Sequence, residues 1–366
     1  MIKVLVVDDS ALVRKLFGRV LSGEPDIQVS FARNGRDALA QMGEFMPDVV
    51  TLDINMPEMD GLICLDRIMV ERPCPVVMVS SHSREGAEIT LEALRLGAVD
   101  FVSKPDGAVS LHMEVFGPEL VAKVRNAANA KLKASLRLRE RVRHRIGGTI
   151  SSSRGKAIEP PDVAGERAVG NGVVVVGTST GGPPALEALL SPLPETFPWP
   201  IVIAQHMPAS FTGPLARRLD RLCDLNVIEV DRSLPLAQGR VYLGRGNGDV
   251  VISRRGGGEV VEPASAADYP WRPSADRLVR SAMAHFSPRQ IVGVLMTGMG
   301  NDGAGAMASL RALGGSTIAE AEETAVVWGM PGELVRSGGA SWVLPVQKIA
   351  AKLQQLVRHA ADPKHA

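Results

Sequence analysis

Two doubly wound α/β units in tandem are predicted by three features of this 366-residue sequence. Short runs rich in Val, Ile and Leu alternate with helically spaced stretches, a Gly/Ser/Pro-rich gap divides the chain, and residues able to do chemistry come directly after several apolar runs. The alternation sets the sheet type, because a helix between two strands carries the chain back over the sheet and pairs the strands in parallel. Length agrees, since domains average roughly 150 residues.

In the first unit, residues 1–122, apolar runs at 3–7, 27–32, 49–52, 76–79 and 98–102 predict five strands. Leu12, Leu16, Val20 and Leu21 between the first two can share one helix face against a sheet. The expected fold is a flavodoxin-like, five-stranded doubly wound domain. Residues 120–145 are rich in helix formers and almost free of acid, and read as a solvated basic helix end. Residues 146–172 collect Gly, Ser and Pro with little apolar content, which marks a flexible linker, so 123–168 is set apart as the join. A larger α/β domain, 169–358, comes next, with strands expected at 173–176, 201–204, 227–230, 240–243, 291–296, 317–319 and 340–343 and helices at 184–190 and 304–313. Within it, 240–261 has the short strands and Gly-rich turns of an antiparallel hairpin, expected at the sheet edge.

The 41 basic and 40 acidic residues leave a net charge of +1, which supports neither a nucleic-acid partner nor attachment to anionic lipid. That sum conceals a division: residues 1–120 hold 11 basic and 19 acidic side chains, 121–168 hold 12 and 4, and 169–366 hold 18 and 17. The basic strip is either a solvated face or a salt-sensitive contact for an acidic partner. Cys64, Cys74 and Cys223 match no zinc or disulfide spacing, so a reducing cytoplasm is expected. No apolar run approaches the roughly 20 residues that span a bilayer, and Asp8 and Asp9 interrupt the N-terminal run before it could serve as a signal-peptide core.

Asp8 and Asp9 end the first predicted strand and Asp53 the third, so in a parallel sheet all three reach the same carboxyl edge. Clustered acids repel, and a hard divalent cation, Mg²⁺, is the simplest compensation. Ser80 and Lys104 end the fourth and fifth strands, where a hydroxyl and an ammonium suit phosphoryl oxygens. This pattern closely resembles a response-regulator receiver domain. The resemblance implies that Asp53 accepts a phosphoryl group from a sensor histidine kinase, and that Asp8, Asp9, Asp53 and the Asn55 carbonyl surround Mg²⁺. It also places Ser80 and Phe101 at the switch hydroxyl and aromatic positions, with Lys104 beside the phosphoryl group.

In the second unit, the strand VVVVG runs into Thr178-Ser179-Thr180-Gly181-Gly182 before a helix begun by two prolines. Such a turn can hold a Ser hydroxyl beside a helix N-terminus, or cradle a phosphate. His206 follows the strand IVIAQ and Asp302 follows the IVGVLMTG strand, so Ser, His and Asp all lie just past strand carboxyl ends. A Ser is a poor nucleophile unless an imidazole takes its proton, and a carboxylate fixes that imidazole's tautomer. Gly177 to Gly181 satisfies GxSxG, but the chain order Ser, His, Asp is not that of α/β-hydrolases. Residues 298–303 also satisfy the dinucleotide pattern GxGxxG. Their late position and the Asp302 carboxylate, which would lie near the pyrophosphate, speak against that use.

GTSTGG, QHMP followed by SFTGPLARRL, RPSAD and MTGMGNDGAGAM together resemble the catalytic domain of the CheB family of chemotaxis protein-glutamate methylesterases. With the receiver in front, the resemblance spans nearly the whole chain. It implies hydrolysis of glutamate γ-methyl esters on methyl-accepting chemotaxis receptors, in part of the family deamidation of receptor glutamines, and a CheA-type kinase as phosphodonor. It assigns Ser179 as nucleophile, His206 as general base and Asp302 as its orienter, with the Met299 N–H as an oxyanion donor and Thr180 positioning the nucleophile; this site needs no metal. Departures from the family pattern fall at 242–248, at Trp271 where His commonly stands, and at Glu320-Ala321 where Gln-Asp is usual. The domain order further implies that the unphosphorylated receiver restrains the esterase. The alternative function is a non-catalytic, phosphorylation-dependent regulator of a receptor–kinase complex.

Overall fold

The computed structural model describes residues 1–81, 83–104, 113–130, 132, 172–266 and 269–360, and the chain divides into two compact units. In the first, β1 (Ile2–Val7), α1 (Ala11–Leu21), β2 (Ile27–Ala32), α2 (Gly35–Phe45), β3 (Val49–Asp53), α3 (Gly61–Glu71), β4 (Val76–Ser80), α4 (Arg84–Leu96), β5 (Asp100–Ser103) and α5 (Met113–Ala128) alternate throughout. The sheet order is β2-β1-β3-β4-β5, all parallel, as in flavodoxin-like domains. Every residue of β3 and β4 is buried, which explains their uninterrupted apolar reading, because helices cover both faces. Ser10, Asn34 and Asp60 start α1, α2 and α3 by accepting a backbone N–H three residues on.

The fifth strand begins two residues later than the apolar run suggests. Gly97, at φ +118°, turns the chain out of α4, and the Ala98 N–H bonds back to Ala93, so 97–98 close the helix instead of opening the strand. The described start of the basic strip is not a free solvated face. Arg125 pairs with Glu24 and Asp26, and Lys123 with Asp100 and Glu119. The rest of the strip and the linker expected at 146–172 lie outside the described residues, apart from 172 itself.

The second unit begins with β6 (Val173–Thr178), α6 (Gly182–Leu190), β7 (Ile201–Gln205), α7 (Ala209–Leu222), β8 (Asn226–Val230), β9 (Leu234–Pro235), β10 (Arg240–Gly244), β11 (Asp249–Arg255) and β12 (Gly258–Ala264). It continues with α8 (Ala275–His285), β13 (Ile291–Leu295), α9 (Ala304–Ala312), β14 (Ser316–Glu320), α10 (Met330–Arg336), β15 (Trp342–Leu344) and α11 (Val346–Ala360). Seven strands form a parallel sheet in the order β15-β14-β13-β6-β7-β10-β8. The chain enters at central β6, builds one side, and returns to build the other from β13. That reversal is a topological switch point, where open α/β sheets hold their ligands.

The antiparallel hairpin is present as β11–β12, but it forms its own three-stranded sheet with β9 and does not extend the main sheet, whose edge is the parallel strand β8. Packing explains the separation. Val250, Ile252 and Val261 bury their side chains in the same core as Ala275, Leu278 and Val279 of α8, so the hairpin covers a helix.

Gly61 illustrates how tightly the first unit closes on its acidic edge. A Cβ there would run into the Asp53 carbonyl oxygen and lie 2.9 Å from Ile54 Cα, both backbone atoms that cannot step aside. Gly61→Ala is therefore expected to destabilise this unit by about 1–3 kcal/mol. Urea unfolding of the full chain measures it, and an unchanged transition would contradict the packing.

Candidate functional site

Backbone pairing at the switch point brings three predicted residues together. Thr178, the last residue of β6, is in register with Gln205, the last of β7, so Ser179 and His206 leave adjacent strands side by side. The His206 N–H donates to the Thr178 carbonyl at 3.0 Å, and the Ser179 N–H to the Thr297 carbonyl, just past β13, at 2.9 Å. Gly181, at φ +75°, turns the chain into α6, a conformation that strains most other residues. Gly298 passes so close behind the serine that a Cβ would sit 2.7 Å from Ser179 Cβ.

Asp302 is fully buried and its two oxygens accept four hydrogen bonds. Oδ2 accepts from His206 Nε2 at 2.8 Å and from the Ala275 N–H at 2.6 Å; Oδ1 accepts from Ser274 Oγ at 2.9 Å and the Asp276 N–H at 3.0 Å. Two of these donors belong to the first turn of α8, whose positive end also favours an anion. Burial pushes the Asp302 carboxyl up, but the His206 bond and the Ala275 and Asp276 N–H groups outweigh it and hold the group below the usual carboxylate range. Burial raises neighbouring Asp276, and the Asp302 charge adds to that rise.

Because Nε2 faces Asp302, Nδ1 is the His206 nitrogen left for Ser179, the reverse of the usual serine-triad arrangement. Nδ1 is buried and has no hydrogen-bond partner among the described residues, so imidazole and Ser179 hydroxyl are neighbours in strand register but not bonded. Catalytic hydrogen bonds are often long before substrate binds and tighten afterwards. The Met299 N–H has no acceptor among the described residues and directly follows the glycine that backs onto Ser179. Thr180 is buried, and its carbonyl is tied to Thr297 Oγ1 at 2.9 Å.

Several supporting residues escape sequence reading. Gln205, buried at the end of β7, donates through its amide to the carbonyls of both Ser179 and His206, each at 3.0 Å. Ser274 caps α8 while bonding Asp302; a Ser before an apolar helix is an N-cap signal, but its second partner is not readable from sequence. The departures from the family pattern also find places. Tyr242 is buried with its hydroxyl on the Pro235 carbonyl at 2.5 Å, Gly246 lies against the 207–209 backbone beyond His206, and Glu320 accepts the Thr297 N–H at 2.8 Å. Trp271 stacks on His206.

In the first unit, one carboxylate oxygen from each of Asp8, Asp9 and Asp53 lies within 4.8 Å of the others. Lys104 Nζ stands 3.1 Å from Asp8 Oδ2 and 2.9 Å from Asp53 Oδ2, and among the described residues these two buried oxygens have no other partner. Buried carboxylate oxygens that share one ammonium, close to a third carboxylate, fit a hard cation. Burial raises the Asp53 carboxyl to about 6 against the opposing pull of Lys104, with Asp8 adding to the rise. Ser80 is buried at the end of β4, beside Lys104, whose N–H donates to the Ser80 carbonyl at 2.7 Å. Asn55 is exposed two residues beyond Asp53, and Phe101 is buried on β5 with the Lys123 ammonium over its ring.

A flavodoxin-like unit with an acidic carboxyl edge, followed by a parallel sheet that gathers Ser, His and Asp at its switch point, defines the class of response regulators that carry an enzyme domain. Comparison with known proteins agrees. A family model described as response regulator receiver domain matches residues 4–116, and one described as CheB methylesterase matches 174–353. Protein-glutamate methylesterase/protein-glutamine glutaminase 2 of Rhodopseudomonas palustris (strain BisB18) is 54% identical over 355 residues, covering 96% of this chain and 97% of its own. Protein-glutamate methylesterase/protein-glutamine glutaminase 3 of Rhodospirillum rubrum is 51% identical, covering 96% of this chain and 95% of its own. The crystal structure of the Thermotoga maritima CheB methylesterase catalytic domain matches 51% of this chain and 98% of that one, at 36% identity and a TM-score of 0.49. This chain belongs to the CheB family, with an N-terminal receiver domain.

The depressed Asp302 carboxyl has a consequence for stability. Its unfolded value is about 4, so the stability it contributes is complete above that pH and is lost as pH falls through the lower folded value. The advantage of the wild type over Asp302→Asn in urea unfolding should therefore hold down to about pH 5 and shrink as pH falls from there to about pH 2. A difference that stays constant over that range would contradict the assignment.

Proposed function

We propose that this chain is a phosphorylation-regulated protein-glutamate methylesterase and glutaminase acting through Ser179, His206 and Asp302. One observation carries the reading: Asp302 and His206 are bonded at 2.8 Å from strands that flank the strand bearing Ser179. Ser179 Oγ attacks the γ-carbonyl carbon of a glutamate methyl ester while His206 Nδ1 takes the hydroxyl proton, and Asp302 stabilises the imidazolium. The Met299 N–H stabilises the tetrahedral oxyanion, and Thr180 helps to position the nucleophile. His206 returns its proton to the methoxide, methanol leaves, and a γ-glutamyl ester of Ser179 remains. Water then attacks this ester with His206 again as base, giving glutamate and free Ser179. From a glutamine side chain, ammonia leaves in place of methanol.

The substrates in this reading are methyl-accepting chemotaxis receptors, and a CheA-type kinase supplies the phosphoryl group to Asp53. Asp8, Asp9, Asp53 and the Asn55 carbonyl would hold Mg²⁺, which when bound neutralises phosphoryl charge. Lys104 and Ser80 hold phosphoryl oxygens, and Phe101 with Ser80 forms the switch. Residues 1–122 serve as receiver, 123–168 as join and 169–358 as esterase. No helix among the described residues is long and apolar enough to cross a membrane, and we place the protein in the cytoplasm, with no nucleic-acid partner.

Ser179→Ala, His206→Ala and Asp302→Asn are each expected to lower methanol release from methylated receptor membranes by several powers of ten. A near-normal rate in any one would refute that residue's role. Asp53→Asn should abolish both labelling and activation by a small phosphodonor, and activation equal to the wild type's would show that the control lies elsewhere.

A further inference from the structure

Trp271 makes a contact that none of the assigned roles uses. Its indole is stacked on the His206 imidazole, the planes 6° apart and the ring centroids 6.2 Å apart, within the range of about 4.5–7 Å over which aromatic pairs attract. On another side the indole presses against Gly300, where a Cβ would lie 2.8 Å from Trp271 Cζ2. Gly300 has φ +81°, so this turn, between Met299 and Asp302, needs glycine for its backbone and has its missing side chain replaced by the indole. Three residues further on, Ser274, Ala275 and Asp276 supply three of the four hydrogen bonds to Asp302. One short segment, 271–276, therefore grips the acid and covers the base.

We infer that Trp271 is a positioning residue for His206, its offset, parallel indole holding the imidazole plane while Nε2 stays on Asp302. A ring pinned through Nε2 alone can still tilt about that bond, which would swing Nδ1 away from Ser179. A parallel indole opposes the tilt. Such a tilt would take Nδ1 off the Ser179 hydroxyl without removing a substrate contact, so the loss falls on proton transfer. The contribution belongs in kcat, whereas an indole that merely walled the substrate site would be felt in KM.

The test compares wild type, Trp271→Leu and Trp271→Phe as full chains, using kcat and KM for methanol release from methylated receptor membranes and Tm as a check of folding. Leu fills volume without a flat ring and is expected to lower kcat by about 3- to 10-fold with little change in KM, the size of one lost aromatic pair. Phe should recover most of the loss. If Leu fails to fold, Trp271→Met takes its place as the non-aromatic variant, with the same loss expected. An unchanged kcat in Leu, a loss confined to KM, or Phe no better than its non-aromatic counterpart would overturn the inference. It rests on the proposed esterase reading: a wild type that releases no methanol defeats that reading, while an active wild type matched by Trp271→Leu defeats this inference alone.

Discussion

A carboxylate stripped of water is stable as an anion only when donors fill its oxygens, and Asp302, with four of them, is filled. Much of the catalytic unit is arranged to supply those donors. The first turn of α8 must point its N–H groups at the end of β13, so Ser274 has to cap that helix and bond the carboxylate at once. The last donor is His206, which commits Nε2 and leaves Nδ1 as the only ring nitrogen free to act as base. The acid thereby fixes the ring, and the parallel pairing of β13, β6 and β7 brings that ring to the serine.

The acidic edge of the receiver is built on the opposite principle. Asp8 and Asp53 are nearly as buried as Asp302, yet among the described residues each leaves an oxygen that meets only the shared Lys104 ammonium. Burial raises Asp53 where hydrogen bonding lowers Asp302. An under-satisfied carboxylate cluster is suited to receive a cation and a phosphoryl group, because both supply what the protein withholds. A saturated carboxylate is suited to stay still while its neighbour moves protons. The same residue type is thus left under-satisfied in one unit and held as an anchor in the other, according to its donors.

The sequence makes the strand ends legible and leaves the helix starts ambiguous. Parallel strands covered on both faces read as unbroken apolar runs, so residues just past each run lie on one edge; Asp8, Asp53, Ser179 and His206 follow from that, whereas Asp302 stands further on, beyond the turn at Gly298 and Gly300. Ser274 and Trp271 lie before a helix instead, in a segment whose course depends on how the hairpin β11–β12 packs on α8. Gln205 reads as one more residue of an apolar strand, and its bridge between two carbonyls exists only in three dimensions. Which nitrogen of His206 faces the acid has no trace in sequence either. The hairpin's turns are readable, but its choice of a separate sheet is decided by apolar residues meeting across a long stretch of chain.

The most direct measurement of the central claim is mass spectrometry of the protein acid-quenched within milliseconds of mixing with methylated receptor fragments. If Ser179 carries the acyl group between methanol release and hydrolysis, the peptide containing Ser179 should gain the mass of a γ-glutamyl-linked receptor fragment, more abundantly when deacylation is slowed. Rapid methanol release with no adduct on that peptide, or an adduct mapped to another residue, would contradict it.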